Sequence, residues 1–425
     1  MKVLLVGGGG REHALAWKIV QSPRVDRLFC APGNAGTAEI AQNIALSAES
    51  QADIVQFAGN EKIDLVVVGP EDPLCGGLVD ELTAVGVRAF GPTKAAARLE
   101  GDKAFAKEMM RHRSVPTGEA RIFTKYRDAK TYVASRDAGV AIKAAGLAKG
   151  KGVIVCNDPA DGLLALERIM VNREFGPAGD TVVVEEKLTG PEISVLAFVD
   201  RNTIYVMENA QDHKPIGEGD TGPNTGGMGA YCPTDLRDDK LLRQIESEIL
   251  VPIVDALRME GITYRGVLYA GLMLTAGGPK VLEFNCRFGD PETQPQLMRL
   301  KTDLVDVFEA VIDDRLDSIS LEWDPQPAVC VVLASGGYPG KYESGKPIRG
   351  LAEAGAMENV VVFHAGTRRV GSRVVTAGGR VLGVTALGQT FEQARYRCYA
   401  AVDKIHFEGA YCRRDIGAQA TADRS

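Results

Sequence analysis

Four consecutive glycines, Gly7 to Gly10, follow the short apolar run Val3 to Val6 and precede a helix-like stretch from about Glu12 to Val20. That arrangement limits the fold sharply. The chain must leave a buried strand, turn tightly and enter a helix, which is how a parallel α/β unit begins. The pattern returns at Asp64 to Gly69, followed by Pro70-Glu71-Asp72-Pro73 and a helix over about Gly77 to Val85. Residues 1–101 are therefore expected to form a doubly wound parallel α/β domain.

A chain of 425 residues has room for about three such compact units. Residues 102–326 read as the second. They open on a helix over Lys103 to His112 and contain a smaller α/β unit, 120–192, that reads as a mobile lid. Its strands are Val140 to Ala144, Gly152 to Cys156 and Thr181 to Glu186, with helices near Arg127 to Arg136 and Asp161 to Asn172. Strands at Ile193 to Val199, Thr203 to Met207, Gly266 to Thr275 and Lys280 to Asn285 then suggest a largely antiparallel sheet. Pro325 and Pro327 mark a boundary, and 327–425 reads as a small C-terminal domain with four strands and a helix over Phe391 to Ile405. The fold class is α/β and α+β multidomain.

Charge and cysteine usage narrow the function classes. The formal net charge of −7 argues against nonspecific nucleic-acid or membrane binding, though not against a local basic site. No stretch approaches the ~20 apolar residues that span a bilayer. Eight cysteines are scattered without a Cys-x-x-Cys pair, which predicts reduced thiols and a cytoplasmic location.

Five segments could carry chemistry. Gly7-Gly8-Gly9-Gly10-Arg11-Glu12-His13 could cradle a phosphate at a helix N-terminus, or could be a tight turn only. It fails the G-x-G-x-x-G spacing in both registers, so a dinucleotide is disfavoured. Lys143 lies in an apolar strand, and Gly146, Lys149, Gly150, Lys151 and Gly152 follow it. Such a flap suits polyphosphate, and the competing reading of Lys143 is an edge-strand gatekeeper. Glu185 and Glu186 end a third strand, where acids are commonly solvated caps. In Lys280 to Asp290, alternation places Glu283, Asn285 and Arg287 on one face and Leu282, Phe284 and Cys286 on the other. A carboxylate and an amide oxygen on a rigid strand suit Mg²⁺; a salt-bridged sheet face is the alternative. Gln211 to Lys214 with the glycine-rich Asp220 to Gly229 reads equally as a ligand loop or a mobile surface loop.

Taken in order, Lys143, the glycine flap, Glu185-Glu186 and Glu283-x-Asn285 resemble the ATP-grasp superfamily. Within it, the segments Gly7 to His13, Ala31 to Thr37, Gly69 to Leu74, Gln211 to Lys214, Asp220 to Tyr231, Glu283 to Gln294, Phe363 to Thr367 and Arg413 to Gly417 are similar to the glycinamide ribonucleotide synthetase family. The resemblance implies an ATP-grasp fold and ATP-dependent ligation of glycine to 5-phosphoribosylamine through a glycyl phosphate, in purine biosynthesis. It implies Glu283 and Asn285 on Mg²⁺ or Mn²⁺, and Lys103 and Lys143 on the ATP phosphates. Gly150, Lys151 and Gly152 would form the flap, with Glu185, Glu186 and Glu192 around adenine and ribose. Arg287, Gly289 and Asp290 would hold glycine and the acyl phosphate, Asp212 and Lys214 the substrate side. Gly9, Gly10, Arg11 and Asn34 would receive the ribosylamine phosphate. Arg287, Asp290 and Lys143 would be the catalytic set. The expected partners are the two small substrates, with a monomer that could make transient contact with neighbouring purine-pathway enzymes. One departure stands out: the family usually has an acid where this chain has Ala145, and a small neutral residue where it has Lys149. That predicts altered flap closure or ATP affinity. The rival readings are another ATP-grasp ligase using bicarbonate or formate, an NAD-dependent dehydrogenase, and a non-catalytic nucleotide sensor.

Overall fold

The computed structural model describes residues 1–148, 151–234 and 239–422. Its N-terminal part is a five-stranded parallel sheet in the order Gln42–Asn43, Arg27–Pro32, Lys2–Gly7, Leu65–Val68 and Ala89–Phe90. Val3, Leu4, Leu5 and Val6 are fully buried at its centre, as a strand covered on both faces requires. The glycine run leads directly into a helix over Gly10–Ile19. Beyond the strand Leu65–Val68, Pro70 precedes a short helix, Glu71–Gly76. Pro70 stays extended ahead of that helix and Glu71 sits in its first turn, where an acid meets the positive end of the helix dipole.

The segment read above as a lid is a four-stranded antiparallel sheet in the order Ala120–Phe123, Val182–Glu186, Val140–Ala144 and Val153–Cys156. Helices Tyr126–Ala134 and Pro159–Leu166 cover it and share a small core with Ile142, Val182 and Val184. The second helix widens after Leu166 into a π-turn over Glu167–Val171 and so runs nearly to the expected end at Asn172.

The central sheet runs Ile204–Val206, Glu192–Val199, Gly266–Thr275 and Gly278–Asn285, all antiparallel. The C-terminal sheet draws on two regions. Ala328–Ala334, Arg380–Leu387 and Val360–His364 are joined by Gln211–Asp212 and Gly229–Cys232 from far earlier in the chain. The strands around the 211–232 loop are thus built into the C-terminal sheet, and the loop between them hangs over the cleft. Among the described residues, no helix is long and apolar enough to cross a membrane.

Candidate active site

A cleft lies between the lid, the central sheet and the loop suspended from the C-terminal sheet. Lys103, Lys107, Lys143, Gly152, Glu185, Glu186, Glu192, Asp212, Lys214, Tyr269, Glu283, Asn285, Arg287, Asp290 and Glu292 line it. The predicted residues Gly9, Gly10, Arg11, Asn34, Gly289 and Lys151 are outside that lining. Lys149 and Gly150 lie outside the described residues.

The strand Gly278–Asn285 sets the central geometry, and here strict alternation fails. Gly271 pairs with Glu283 but Leu272 pairs with Val281, so Leu282 is an extra residue in a bulge. Val281, Phe284 and Cys286 face the apolar core, while Leu282 joins Glu283, Asn285 and Arg287 on the cleft side. The expected apolar role of Leu282 is corrected accordingly. The bulge frees its carbonyl, which accepts a hydrogen bond from Lys143 Nζ at 2.8 Å.

Around Glu283 the charge is balanced by cations. Burial alone would raise its pKa, but Lys214, Lys143, Lys103 and Arg287 together hold the carboxyl below its usual range. Lys214 Nζ lies 3.6 Å from Glu283 Oε1 and 3.2 Å from Glu192 Oε2. Burial works against the Lys214 charge, yet Glu192 and Glu283 raise its pKa well above the ordinary value. Among the described residues, no three His, Cys, Asp or Glu side chains converge as a complete metal cage. An ionised carboxylate two residues from an amide oxygen, both in a cleft with lysines, fits a hard divalent ion that takes its other ligands from water and phosphate. The Asn285 oxygen currently accepts from Arg287 Nη2 at 3.2 Å.

Lys143 and Glu185 occupy the lid side. Glu185 is 2% exposed; its two oxygens lie 2.6 Å from Lys107 Nζ and 2.9 Å from Lys143 Nζ. Its carboxylate therefore holds lysines. Glu186 is by contrast exposed and pairs with Lys280 at 3.3 Å. Lys103 donates to the Gly146 carbonyl at 3.3 Å, and Lys151 reaches across to the Pro339 carbonyl at 3.4 Å. Gly146 and Gly152 also permit close packing: a Cβ would stand 2.8 Å from Ala178 Cα and 2.6 Å from Ala148 Cβ, respectively.

The loop between Gln211–Asp212 and Gly229–Cys232 is strapped down. Its hairpin pairs Pro215–Gly217 with Thr221–Asn224. Arg413, 1% exposed, donates to the Pro215 carbonyl at 3.0 Å and pairs with Asp220 at 2.8 Å and Asp415 at 2.7 Å. At Gly227, φ is +110°, and a Cβ would stand 2.5 Å from Asp212 Oδ1. That Asp212 oxygen is buried with no hydrogen-bond partner. Burial first, and Glu292 second, push the Asp212 carboxyl well above its usual pKa. Glu292 itself accepts from Tyr269 at 2.5 Å and Ser194 at 3.0 Å.

The N-terminal glycines have a structural task of their own. The Gly9 N–H donates to Glu12 Oε2 at 2.6 Å, and a Cβ at Gly69 would stand 2.3 Å from Glu12 Oε1. They make room for a buried carboxylate that caps the turn. Arg11 is held by Glu12 at 2.6 Å and by the Phe288 carbonyl at 3.0 Å, and its N–H meets Asp290 Oδ2 at 3.4 Å. Asn34 is 7% exposed; its amide donates to the Gly8 and His364 carbonyls, and its oxygen accepts from Gly36 and Thr37. Arg287 meets Glu71 at 3.2 Å and Glu100 at 2.9 Å. Burial opposes the charge on Glu71, but Arg287 and Arg11 hold its pKa at about 2.

Sequence reasoning assigned no role to Lys107, Tyr269, Glu71 and Arg380. Lys107 lies one helical turn after Lys103, so it shares that face, which is the one available signal. Glu71 lies in the Gly69 to Leu74 segment, which carried no residue role, and Tyr269 and Arg380 come from distant segments without a local pattern.

The chain matches the phosphoribosylglycinamide synthetase family along most of its length: the N domain over residues 1–100, the ATP-grasp (A) domain over 101–293 and the C domain over 328–419. The phosphoribosylamine–glycine ligase of Rhodopirellula baltica is 54% identical over 432 residues, covering 100% of this chain and 99% of its own. That of Caldanaerobacter subterraneus subsp. tengcongensis is 50% identical over 418 residues, covering 98% and 100%. Among solved structures, the phosphoribosylamine–glycine ligase of Thermotoga maritima has a TM-score of 0.86 at 31% identity, covering 98% of this chain and 100% of its own.

Proposed function

The chain belongs to the phosphoribosylglycinamide synthetase family, and on that premise we propose that its cleft joins glycine to 5-phosphoribosylamine using ATP. The products are glycinamide ribonucleotide, ADP and phosphate, a step of purine biosynthesis. The observation that carries the assignment to this cleft is Glu283, half-buried and held ionised among Lys214, Lys143, Lys103 and Arg287, with Asn285 beside it. A site of that composition neutralises polyphosphate and presents hard oxygen donors at once.

The chemistry proceeds in two displacements. A glycine carboxylate oxygen attacks the γ-phosphorus of ATP, and the bond to the ADP oxygen breaks. The ribosylamine nitrogen then attacks the acyl carbon, phosphate leaves with the bonding pair, and the nitrogen gives up a proton. Arg287, Gly289 and Asp290 are assigned to glycine and its acyl phosphate. The unpartnered Asp212 oxygen fits the glycine ammonium, with Lys214 beside it. Lys103 and Lys143 are assigned to the nucleotide phosphates, and Gly150, Lys151 and Gly152 to the covering flap, which keeps water from the acyl phosphate. Glu186 and Glu192 fit the adenine and ribose side. Glu185 fits that role less directly, since both its oxygens face lysines.

The family uses ATP with a divalent ion. Mg²⁺, with Mn²⁺ as its substitute, would be held by Glu283 and Asn285 and would offset phosphate charge. Gly9, Gly10, Arg11 and Asn34 remain the proposed receptors of the ribosylamine phosphate, through backbone and Arg11 contacts next to Asp290. The working units are 1–101, 102–326 with its lid 120–192, and 327–425. We place a monomer in the cytoplasm, open to transient contact with neighbouring pathway enzymes, in keeping with eight free cysteines.

The test is ADP release with Mg²⁺ and ATP in the presence of glycine, of fresh phosphoribosylamine, and of both. Release that requires both, with glycinamide ribonucleotide found by mass, is expected. Release with bicarbonate or formate in place of glycine would move the protein to a neighbouring ATP-grasp activity.

A further inference from the structure

Hydrogen bonds and ion pairs around Glu185 form a ring that closes through the adjacent Val281 and Leu282. The Val281 carbonyl accepts from Thr117 Oγ1 at 2.7 Å, and Thr117 Oγ1 accepts from Lys107 Nζ at 2.6 Å. Lys107 Nζ lies 2.6 Å from Glu185 Oε1, and Lys143 Nζ lies 2.9 Å from Glu185 Oε2. Lys143 then donates to the Leu282 carbonyl at 2.8 Å. Val281 and Leu282 are neighbours at the bulge that turns Glu283 into the cleft. The ring stitches the lid strands of Lys143 and Glu185 to the helix of Lys107 and the central strand.

Its charge count is uneven. Two ammonium groups share one carboxylate, and the side chains of all three residues are 6% exposed or less. With Lys143 alone, Glu185 would form a neutral pair. Shared with Lys107, it leaves one net positive charge in a site where water screens little. Retaining a second buried lysine is costly, since replacing buried ions by apolar side chains is often neutral or stabilising. Burial presses the Lys107 pKa down to about 8, with Glu185 opposing that shift.

We propose that Lys107 is a positioning residue for nucleotide binding: by occupying one oxygen of Glu185, it leaves Lys143 incompletely neutralised and fixed at the bulge, directed at the nucleotide phosphates. This rests on the assignment of Lys143 to phosphate. It reassigns Glu185 from a ligand of the nucleoside to the element that sets the charge of its lysines.

The experiment is a calorimetric titration of a non-hydrolysable ATP analogue with Mg²⁺ into the wild-type protein, Lys107→Met, Glu185→Gln and the double variant, with Tm measured for each. Lys107→Met should weaken binding by ~10-fold, because Glu185 then neutralises Lys143. The double variant should recover to within ~3-fold of wild type, since Lys143 is released from that carboxylate. A merely structural Lys107 would lower Tm in the single and double variants and leave analogue affinity untouched. An affinity of Lys107→Met within about twofold of wild type overturns the proposal, as does a double variant that binds more weakly than Lys107→Met. Should Lys107→Met fail to fold, Glu185→Gln decides: affinity equal to or tighter than wild type supports the proposal, and a loss beyond ~3-fold overturns it. The titration needs neither glycine nor phosphoribosylamine. Absent ligation with these affinity shifts intact would therefore count against the proposed reaction alone.

Discussion

Arg380, the first residue of the strand Arg380–Leu387, donates to the Asp290 carbonyl at 2.6 Å and stands 3.4 Å from the Asp290 carboxylate. The same guanidinium donates to the carbonyls of Gly226 and Gly227, and Tyr338 accepts from the Gly226 N–H at 2.9 Å. The C-terminal sheet thus grips both the Gly226–Gly227 loop and the Asp290 turn with one side chain.

Arg380→Met should remove that grip and leave Asp290 with less opposing charge. Breaking a half-buried ion pair from one side costs ~1–3 kcal/mol, readable in urea unfolding. Partial burial raises the Asp290 pKa, but Arg380 and Arg11 bring it below the usual carboxylate range. Losing Arg380 should move the acid limb of the kcat/KM profile to higher pH. An unmoved limb with an unchanged rate would show that the contact is dispensable.

Glu283→Gln should keep the fold and lose the chemistry. The amide cannot hold a divalent ion as a carboxylate does, and Lys214 loses one of its two partners. A fall of ~10²–10³ in kcat is expected for removing one preorganised electrostatic group. The metal concentration giving half-maximal activity should rise as well, with Mg²⁺ and Mn²⁺ compared side by side.

Ala145→Asp should alter nucleotide handling. Ala145 is 5% exposed, and its carbonyl accepts from the Lys103 N–H at 2.8 Å. A carboxylate there would add a negative charge next to Gly146, whose carbonyl accepts from the Lys103 ammonium at 3.3 Å. The KM for ATP or kcat should shift by roughly 3- to 10-fold. If neither moves, the departure from the family pattern is silent.

His13 and His364 make the contact between the first and last domains sensitive to acid. His13 Nδ1 accepts from the His364 N–H at 2.7 Å, which requires an unprotonated nitrogen. Burial, then His364, lower the His13 pKa to about 3, and burial, then Arg369, lower that of His364 to about 4. Unfolded histidine titrates near ~6.5 and so binds protons that the folded form refuses. Stability is complete above that value and falls as pH drops from about 6.5 toward 4. Tm at pH 5 should lie below Tm at pH 7.5 by several degrees. His13→Asn, whose side-chain oxygen can accept the same bond without titrating, should shrink the difference; an undiminished difference would place the acid sensitivity elsewhere.

Much of the fold was legible because its elements have simple periods. The strands over Val140–Ala144, Gly266–Thr275, Ala328–Ala334 and Val360–His364 and the helix Lys103–His112 end where apolar pattern and turn residues say they should. The bulge at Leu282 was not legible: one extra residue shifts a face without changing composition, and only pairing with Leu272 and Gly271 reveals it. The ties of Asn34 and Glu185 were hidden for a related reason. A polar residue beside a glycine loop or at a strand end looks available until its partners are in place.

The sequence by itself determined the alternation of strands and helices, the clustering of Lys103, Lys143, Glu283, Asn285 and Arg287 into chemical segments, and their likeness to a ligase family. Those properties depend on side-chain period and local order, which a linear chain carries. Tertiary structure alone decided that Glu185 serves two lysines, that Arg380 reaches Asp290, and that Gln211–Asp212 and Gly229–Cys232 belong to a sheet with Ala328–Ala334. Each joins residues separated along the chain by tens of positions or more, and burial sets its strength. Charges that would be weakly coupled in water control one another's position and ionisation once solvent is excluded.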